Sequence, residues 1–577
     1  MEVLAKNTAK TEETASITVT GAEAIVLSLL QEGVDTIFGY PGGAIMPTYD
    51  YLYKYENELT HILARHEQGA IHAAQGYARV KHKVGVCLAT SGPGATNLIT
   101  GIADAQIDST PVICITGQVS SKLLGTDAFQ EADVVGISMP VTKWNYQITE
   151  AREIPEAIAK AFYLARNGRP GPILIDITKD AQIDTLEFKY KKCEGIRSYV
   201  PYPQVKEDKI EEAAKLINEA KKPYLIVGQG VLLSKAQEEL KNFVEKTGIP
   251  VASTLLGLSA FPASHPLYVG YVGMHGNYGP NIKTNECDVL IAVGMRFDDR
   301  VTGDLSRYAK QAKVIHLEID PAEIDKNVKT TVAINADAKE GLEALIEKVE
   351  ENSHEEWIEE FKVCDRIEYE KIIRDELFPE EGLLKMGEVV RKISEMTNGE
   401  AVVVTDVGQH QMVATRYYRF NKTLSNVTSG GLGTMGFALP AAFGSKIGAP
   451  ERQVIAVIGD GGFQMTIQEL GTIAQYNIPV KVIVLNNNFL GMVRQWQELF
   501  FEKRYASTEL VNPDFVAIAK GYGLEAARLE EREKMDAELE KMLNHEGPYF
   551  LEIMVGKEDN VFPMIPAGAS VTDIRLE

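Results

Sequence analysis

Two short polar segments of this chain have the residue types and the spacing to bind a metal-bound diphosphate. The run 459–462 (Gly-Asp-Gly-Gly) directly follows one apolar stretch, and Asn487 follows the next. In an open parallel sheet, the loops after neighbouring strands converge on one crevice, which is where ligands bind. The Asp460 carboxylate, the Asn487 amide oxygen and the backbone carbonyl of Phe489 would there supply the oxygen ligands that Mg²⁺ prefers. The glycines would let a diphosphate approach the N-terminus of the following helix.

A third candidate is a carboxylate, Glu67, in the segment ARHEQGAIHAAQGYAR at the predicted junction of a strand and a helix. A carboxylate held there could take part in general acid–base chemistry. Each signal has a plainer alternative, because Gly-Asp-Gly is also a common turn sequence and a glutamate at a helix N-terminus interacts favourably with the helix dipole. Taken singly, the plainer alternatives are favoured. Taken together, the segments favour a cofactor site.

The elements that must position these groups form several domains, because 577 residues exceed what one core supports. Strand-like apolar runs alternate with helical patterns, which predicts α/β units with parallel sheets covered by helices on both faces. We expect domains at 15–185, 200–350 and 378–557, followed by a tail over the active site at 558–577. The polar stretch 186–204 is expected to be a linker, and the charge-dense run 349–376 a solvated helix or connector.

Charge and cysteine content exclude several function classes. Lys plus Arg number 59 and Asp plus Glu number 81, so the formal charge is 59 − 81 = −22, and nucleic acid or an anionic membrane surface would repel the chain. The five cysteines form no CxxC pair, which indicates a reducing compartment and predicts buried thiols without disulfides or zinc. No apolar run reaches the roughly 18 to 20 residues that span a bilayer, and segment 1–16 lacks the features of a targeting signal. These features predict a cytoplasmic protein.

The polar segments and Glu67 together resemble the cofactor site of thiamine-diphosphate enzymes, and further motifs narrow the family. The chain is most similar to the large, catalytic subunits of acetohydroxyacid synthases, over residues from about 18 to 568. The motifs that carry this resemblance, in the family's order, are GYPGGAIMPTYD, RHEQGA, TSGPGATN, GTDAFQEAD, GRPGPILIDITKD, GMHG, RFDDRVTGD, GLGTMGFALPAA, GMVRQWQ and PMIPAGA.

The resemblance implies three doubly wound α/β domains: one that binds the thiamine pyrimidine, a Rossmann-like central domain that binds FAD, and one that binds the diphosphate with Mg²⁺. It implies decarboxylation of pyruvate and condensation of the two-carbon fragment with a second pyruvate or with 2-oxobutyrate, the first common step of branched-chain amino acid biosynthesis. It also implies a homodimer or homotetramer, in which one chain supplies Glu67 and another the metal motif, and a separate small regulatory subunit.

Other protein classes share part of this pattern. Pyruvate oxidase, glyoxylate carboligase, simple 2-oxo-acid decarboxylase and the FAD-free catabolic acetolactate synthase use the same cofactor motifs. The segments RFDDRVTGD and MVRQWQ argue against these alternatives. A non-catalytic scaffold would be expected to have lost Glu67, Asp460 or Asn487, and all three are present.

By position, the resemblance assigns roles to individual residues. Glu67, Gln130 and Lys179 would be catalytic, with Glu67 hydrogen-bonded to the aminopyrimidine ring of thiamine diphosphate. The residues that would hold thiamine diphosphate are Val407, Gly408, Gln409, His410, Gly433, Met435, Gly459, Asp460, Gly461, Gly462, Asn487, Phe489, Leu490, Gly491 and Met492. The metal ligands would be Asp460, Asn487 and Phe489. The residues that would contact substrate are Phe129, Arg300, Met492 and Trp496.

The FAD assignment depends on the resemblance, because the segment VGQGVLL lacks the third glycine of a GxGxxG motif. The residues that would bind FAD are Arg169, Gly228, Gly230, Thr254, Leu255, Met274, His275, Gly294, Arg296, Asp298, Glu318, Ile319 and Asp337. Two positions depart from the family pattern, Gln229 in place of a small residue and Ser120 in place of a proline. Four of the assigned side chains also have plainer interpretations as core or surface residues: Met435, Trp496, Lys179 and Arg300.

Overall fold

The computed structural model describes residues 17–577, which form three six-stranded parallel sheets with associated helices and one small antiparallel pair of strands. The prediction of three doubly wound parallel-sheet units is therefore confirmed. Segment 1–16, for which we expected no targeting signal, lies outside the described residues, as do the first two residues of the domain expected at 15–185.

The first unit contains a sheet whose two faces are both buried. Its strands are β1 (Ile17–Thr20), β2 (Thr36–Gly39), β3 (Thr60–Leu63), β4 (Gly85–Ala89), β5 (Val112–Gln118), β6 (Trp144–Ile148), β7 (Ile173–Thr178) and β8 (Thr185–Phe188). Its helices are α1 (Gly21–Gln31), α2 (Met46–Lys54), α3 (Glu67–Lys81), α4 (Pro93–Thr96), α5 (Ile99–Ile107), α6 (Val134–Ser138), α7 (Ile154–Arg166) and α8 (Lys179–Ile183). The sheet order is β3-β2-β4-β5-β7-β6. Along β4, Val86 and Leu88 enter one core while Cys87 and Ala89 enter another, so both faces are covered.

One pair of strands was not expected from the sequence. β1 and β8 pair in antiparallel fashion outside the main sheet, with Ile17 opposite Phe188. The linker predicted at 186–204 therefore begins too early, because Leu186 and Phe188 are buried in a core of the first unit. The pattern missed this strand because its apolar residues alternate with charged ones and its partner lies at the opposite end of the unit.

The middle unit has the Rossmann strand order. Its strands are β9 (Pro223–Val227), β10 (Val251–Ser253), β11 (Tyr268–Tyr271), β12 (Val289–Val293), β13 (Lys313–Glu318) and β14 (Val332–Asn335). Its helices are α9 (Glu207–Glu219), α10 (Gly230–Leu233), α11 (Gln237–Thr247), α12 (Tyr278–Thr284), α13 (Asp299–Thr302) and α14 (Ala338–Lys348). The order β11-β10-β9-β12-β13-β14 reverses between β9 and β12, which is where such sheets bind ligands.

A helical connector joins the middle and third units. It consists of α15 (Glu355–Glu368), a π-helical turn at Tyr369–Ile373 and α16 (Arg374–Leu377). The expectation of a helix is confirmed, but the helix is solvated on only one side. Trp357, Phe361 and Glu368 are buried on its inner face.

The third unit repeats the strand order of the first. Its strands are β15 (Val402–Thr405), β16 (Asn426–Thr428), β17 (Val454–Gly459), β18 (Lys481–Asn486), β19 (Glu525–Leu529) and β20 (Tyr549–Met554). Its helices are α17 (Met386–Met396), α18 (Gln409–Tyr417), α19 (Ala438–Gly448), α20 (Asp460–Thr466), α21 (Leu470–Gln475), α22 (Gly491–Phe500), α23 (Phe515–Gly521) and α24 (Met535–Asn544). The order β16-β15-β17-β18-β20-β19 matches the first sheet strand for strand. The likeness in layout that the sequence indicated is thus a shared topology.

The first and third units pack directly on each other through α3 and α19. A Cβ atom added at Gly76 would lie 2.0 Å from the carbonyl oxygen of Ala441, and one at Gly444 would lie 2.0 Å from that of Ala73. Only glycine permits this backbone contact. The close approach fixes the position of α3, which begins at Glu67, relative to the third unit.

The residues after β20 cross back onto the middle unit. The N–H of Ile565 donates to the carbonyl of Met274 at 2.8 Å, and the N–H of Asp304 donates to the carbonyl of Ala569 at 2.9 Å. The side chains of Ile565 and Val571 are buried among residues of the middle unit. The tail 558–577 therefore connects the third unit to the middle one.

Two composition-based expectations have structural counterparts. All five cysteines are free, and four are buried, but Cys193 is only half-buried, so the expectation of five buried thiols is wrong at that position. Across 17–577, every helix falls short of the length and apolar character that a membrane crossing requires.

Candidate active site

The third sheet reverses its winding between β15 and β17, which opens a crevice at the carboxyl ends of these strands. The segment 407–410 follows β15, and the run 459–462 spans the end of β17 and the start of α20. Asn487 follows β18, the neighbour of β17. The structure thus brings together the segments that the sequence placed at one crevice.

Asp460 and the asparagines of 486–488 converge on a residue that the sequence did not indicate. The amide nitrogen of Asn512 donates to the Asp460 carboxylate at 2.7 Å and to the side-chain oxygens of Asn486 and Asn488 at 3.0 and 3.2 Å. Asp460 is 1% exposed, and burial raises the pKa of its carboxyl to about 6. Asn512 follows no recognisable motif, so only the fold reveals it.

The glycines of this crevice lie where a side chain would collide with polar groups. A Cβ atom at Gly462 would lie 2.3 Å from the Asp406 carboxylate, and one at Gly491 would lie 2.1 Å from the Gln409 side-chain oxygen. Asp406 is buried and accepts the N–H groups of Gly436 and Ala438 at 3.0 and 2.9 Å. It therefore fixes the start of α19, and sequence reasoning missed it.

His410 has an unpartnered polar atom at this crevice. Its Nε2 atom is buried and has no hydrogen-bond partner within residues 17–577. Burial lowers the pKa of the imidazole to about 3, and a Cβ atom at Gly459 would lie 2.7 Å from the ring. A buried polar atom without a partner costs free energy, so the site fits a ligand that brings a hydrogen-bonding group to Nε2.

The donor set fits a hard cation that takes part of its coordination from a ligand. No group of three or more His, Cys, Asp or Glu side chains suited to a metal occurs in the described part of the chain. Asp460 and Asn487 are nevertheless both buried and carry oxygen donors. Mg²⁺ is commonly held by one or two carboxylates together with phosphate oxygens and water, which these residues match.

The loop that carries Gly433 and Met435 is held by two aspartates of the first unit. Asp108 accepts the N–H groups of Gly430 and Gly431 at 2.8 and 2.7 Å, and it pairs with Arg79 at 3.0 Å.

Asp104 accepts the hydroxyl of Thr434 at 3.1 Å and that of Ser429. Burial and the neighbouring Asp108 raise the pKa of the Asp104 carboxyl to about 6. The two aspartates therefore position the loop of Gly433 and Met435, which the resemblance assigns to thiamine diphosphate, and no motif in the sequence points to them.

Except for Arg169, the predicted residues of the first unit lie apart from this crevice. Glu67 begins α3, is buried, and accepts the amide N–H of Asn97 at 3.0 Å. Gln130 lies near the Gly92 loop, and Phe129 is 87% exposed. Lys179 begins α8 at the end of β7 and is exposed. None of these four residues lines the cavities described below.

A large cavity of about 1210 Å³ lies between the middle and third units, and residues of the first unit such as Arg169 also line it. All thirteen positions assigned to FAD line it, as do Arg300 and Trp496. From the thiamine-diphosphate set it is lined by Val407, Gly408, Gly433, Met435 and Met492. The cavity therefore joins the strand-order reversals of two sheets.

The glycines of the middle unit owe their presence to backbone packing. A Cβ atom at Gly228 would lie 2.1 Å from the carbonyl oxygen of Gly294, and the N–H of Gly230 donates to that oxygen at 3.0 Å. The N–H of Gly228 donates to Val293 at 2.9 Å. Because these N–H groups already donate to protein carbonyls, a ligand would contact the two glycines by close packing against the backbone and not by accepting their hydrogen bonds.

The polar side chains of this cavity differ in how many of their hydrogen bonds are already made within the protein. Asp337 and Asp298 cap α14 and α13 through their carboxylates. Glu318 accepts one N–H, from Asp320 at 3.0 Å, and burial raises the pKa of its carboxyl to about 7. Arg169 pairs with Asp320 and Glu323 at 3.1 and 2.9 Å.

Within residues 17–577, His275 and Ser234 are wall residues with a buried polar atom that has no hydrogen-bond partner. In His275 this atom is Nε2, and burial lowers the pKa of the imidazole to about 4. This atom and the size of the cavity fit a ligand as large as FAD.

Helix α22 presents two of the predicted substrate residues. Met492 and Trp496 lie one turn apart and line the cavity. Next to them on the helix, buried Gln495 exchanges hydrogen bonds with Val561 of the tail at 3.0 and 2.8 Å. Arg300 is exposed at the cavity rim and contacts the sulfur of Met274 at 3.7 Å.

Comparison with known proteins covers all three units. Models described as the N-terminal TPP binding domain, the central domain and the C-terminal TPP binding domain of thiamine pyrophosphate enzymes match residues 19–137, 210–345 and 406–553. The acetolactate synthase large subunit of Corynebacterium glutamicum is 48% identical over an alignment of 571 positions, which covers 96% of this chain and 90% of that protein. The chain belongs to the acetolactate synthase large-subunit family.

Other members of this family match equally completely. The probable acetolactate synthase large subunit of Methanocaldococcus jannaschii is 45% identical, over 96% of this chain and 95% of that protein. The acetolactate synthase isozyme 2 large subunit of Escherichia coli K12 is 44% identical, over 96% and 99%. The two cofactor-binding models of the family cover the units that carry Glu67 and Asp460, so the chain is a thiamine-diphosphate enzyme.

Proposed function

We propose that this chain is the catalytic subunit of an acetolactate synthase. It decarboxylates pyruvate and joins the two-carbon fragment to a second pyruvate, giving 2-acetolactate, or to 2-oxobutyrate, giving 2-aceto-2-hydroxybutyrate. This reaction is the first common step in the biosynthesis of valine, leucine and isoleucine. The observation that carries the proposal is the convergence of segments 407–410, 459–462 and 487–491 at the strand-order reversal of the third sheet.

Asp460, Asn487 and the Phe489 carbonyl would hold Mg²⁺ against the diphosphate, with a hydrogen bond from His410 Nε2 to a diphosphate oxygen. Only glycine fits at four positions of this crevice, because a Cβ atom there would collide with neighbouring side chains: Gly459, Gly461, Gly462 and Gly491. Without side chains, these residues leave room for the diphosphate. When bound, thiamine diphosphate supplies the carbon-centred nucleophile and takes up the electrons released by decarboxylation. Met435 lies close to Gly461 and would support the cofactor between the two rings.

Glu67 would hold a proton on the aminopyrimidine side of the cofactor, and Asn97 would orient its carboxylate. Because Glu67 does not line the cavity of its own chain, we propose that it serves a cofactor held by a second copy, which makes the enzyme an obligate homodimer or a dimer of dimers. The exposed Phe129, with Gln130 and Lys179 in the same unit, would then cover the partner's cavity.

In the middle unit we propose FAD, supported by a cavity of about 1210 Å³ and by the free Nε2 of His275. Glu318 would accept a ribose hydroxyl with its second oxygen. Arg169 would reach the flavin nucleotide through Nη2, because Nη1 pairs with Asp320 and Glu323 and Nε donates to Ser109.

Met492, Trp496 and Arg300 would bind the second 2-oxo acid. Trp496 would favour 2-oxobutyrate, because its ring, which packs 5.0 Å from that of Phe500, offers apolar surface for the additional methylene. A separate small regulatory subunit and a cytoplasmic location are part of the proposal; the free cysteines support the latter. We also propose domain limits of 15–185, 200–350 and 378–557, with 558–577 as a tail.

Product analysis tests the proposal directly. The purified protein receives pyruvate with and without 2-oxobutyrate, in the presence of thiamine diphosphate, Mg²⁺ and FAD, and the products are identified by mass spectrometry. Acetolactate and acetohydroxybutyrate are expected. Acetaldehyde or acetyl phosphate as the main product would overturn the proposal in favour of a decarboxylase or an oxidase.

A further inference from the structure

A second cavity, of about 390 Å³, lies where the three units of one chain meet. Its wall includes His82 at the end of α3, Leu232 and Lys235 at and after α10, and Asn426 of β16. None of the residues assigned to thiamine diphosphate, FAD or substrate lines it. It adjoins the large cavity through shared residues such as Lys235. We call it the junction cavity.

The junction cavity has an excess of positive charge in a protein whose formal net charge is −22. Arg79, Lys83, Arg166, Lys235 and His82 line it, whereas Glu32 is the only carboxylate in its wall. Arg79 and Lys83 pair with aspartates outside the wall at 3.0 Å, and Arg166 pairs with Glu32 at 3.1 Å.

Lys235 and His82 have no such partner. Within residues 17–577, neither the exposed Lys235 side chain nor the half-buried His82 side chain makes a hydrogen bond or an ion pair. Burial and the nearby Lys235 lower the pKa of His82. An anion between the two would relieve this repulsion and return a proton to the imidazole, because an opposite charge favours the charged form.

The remaining wall adds a hydrogen-bond acceptor and apolar surface. The amide nitrogen of Asn426 donates to the carbonyl of Leu255 at 2.8 Å, which fixes the amide orientation, and its buried oxygen has no partner in residues 17–577. Phe162, Leu232 and Val427 are buried apolar residues of the same wall. A ligand that satisfies the whole wall therefore has an anionic group, a hydrogen-bond donor and an apolar part.

We propose that the junction cavity binds a small organic anion that carries a hydroxyl or amino donor on a short apolar skeleton. Its anionic group lies between Lys235 and His82, its donor reaches the Asn426 oxygen, and its apolar part packs on Leu232 and Val427. The volume of about 390 Å³ accommodates a ligand of this size.

The junction cavity is connected to the loop that carries Gly433 and Met435 through the side chain of Arg79. Arg79 in its wall donates to the carbonyl of Thr428 at 2.5 Å and pairs with Asp108, which holds Gly430 and Gly431. Asn426 and Val427 directly precede Thr428 in the chain. Ligand bound in the junction cavity therefore contacts the strand that leads into the loop carrying Met435.

The test uses the full-length protein loaded with thiamine diphosphate, Mg²⁺ and FAD, so that the cofactor phosphate sites are filled. The probe is 2-hydroxyisovalerate, with isovalerate and inorganic phosphate for comparison, and binding is measured by isothermal titration calorimetry. Three variants are compared: Lys235→Met, His82→Asn and the control Lys192→Met. Asparagine is chosen for position 82 because it tolerates the φ of +52° found there. Lys192 is an exposed lysine outside both cavities.

We expect saturable binding of 2-hydroxyisovalerate that weakens about tenfold or more in Lys235→Met and in His82→Asn and is unchanged in Lys192→Met. Isovalerate should bind several-fold more weakly because it lacks the donor for Asn426.

Absence of saturable binding, or equal binding by both cavity variants and the control, overturns the proposal. So does displacement of the probe by pyruvate, which would place it in the substrate site. Binding that is seen only when the cofactors are absent would show that the probe occupies the proposed FAD site in the large cavity, and it would also overturn the proposal. The proposed enzymatic activity is tested separately, by product analysis.

Discussion

The carboxylate of Glu368 and the guanidinium of Arg416 form a buried ion pair that joins the connector, the middle unit and the third unit. The two side chains are 1% and 0% exposed. Glu368 also accepts the amide of Asn277 at 3.1 Å and the N–H of Tyr278 at 2.6 Å. Arg416 donates to the carbonyls of His275 and Gly276, each at 3.1 Å. The pair therefore fixes the loop that carries His275 into the large cavity.

Replacing Glu368 with glutamine keeps the shape of the side chain and removes its charge. One oxygen of the glutamine can still accept Tyr278, but Arg416 is left buried without an anion. Breaking a buried pair in this way costs about 3 to 5 kcal/mol, because the remaining charge is not compensated. If the loop opens locally, its amides should exchange with solvent about 10² to 10³ times faster or more, at 1.4 kcal/mol for each factor of ten.

Hydrogen exchange measured by mass spectrometry on peptides that cover 271–281 reads this change directly, and it does not require the whole chain to unfold in one step. The matched control is Asp375→Asn, which removes the partner of Arg374 in a pair on α16 that is more than half exposed. Exposed pairs contribute little, so exchange in this control should be unchanged. The double variant Glu368→Gln/Arg416→Met should lose less protection than the two single variants added together.

Equal exchange at 271–281 in Glu368→Gln and Asp375→Asn would refute this reasoning. It would mean that apolar packing, rather than the ion pair, holds the loop.

Three further predictions concern the proposed active site and its supports, and a fourth concerns Glu469, a buried carboxylate of the third unit that accepts the N–H of Arg65 in the first unit. Glu67→Gln should lower turnover by about 10² to 10⁴ with an unchanged circular dichroism spectrum, and near-native turnover would remove Glu67 from its role. Asn512→Ala should raise the Mg²⁺ concentration for half-maximal activation by about 10- to 100-fold, because Asn512 orients Asp460; an unchanged activation curve would contradict this. Asp108→Asn should weaken thiamine diphosphate binding about tenfold or more, measured by fluorescence titration, since the N–H groups of Gly430 and Gly431 lose a charged acceptor. Burial raises the pKa of Glu469 from 4.5 to about 7, so the unfolded chain releases this proton at lower pH than the native one, and the native protein loses stability as the pH rises from about 4.5 to 7. Relative to wild type, the free energy of unfolding of Glu469→Gln should rise by up to roughly 3 kcal/mol over that pH range, as measured in thermal unfolding scans. A difference that does not depend on pH would contradict the raised pKa of Glu469.

The sequence by itself determined the strands at the centre of each sheet and the residues that follow them. Central parallel strands are buried on both faces, so β4, β5, β12, β17 and β18 are continuous apolar runs that can be recognised locally. The segment 459–462 and Asn487 could be placed at one crevice for the same reason, since the carboxyl ends of neighbouring strands meet at one edge. The family motifs supplied the remaining site residues.

Only the tertiary structure decided which distant groups support that site. Edge strands such as β6, β14 and β19, and the pair β1 and β8, are short or half-exposed, so they have no continuous apolar run. Asn512, Asp406, Asp104 and Asp108 act on loops far away in sequence, and no local periodicity encodes such a pairing. The separation of Glu67 from the cavity has the same origin, because the relative position of two units depends on contacts such as Gly76 against Ala441, which exist only when the whole chain is folded.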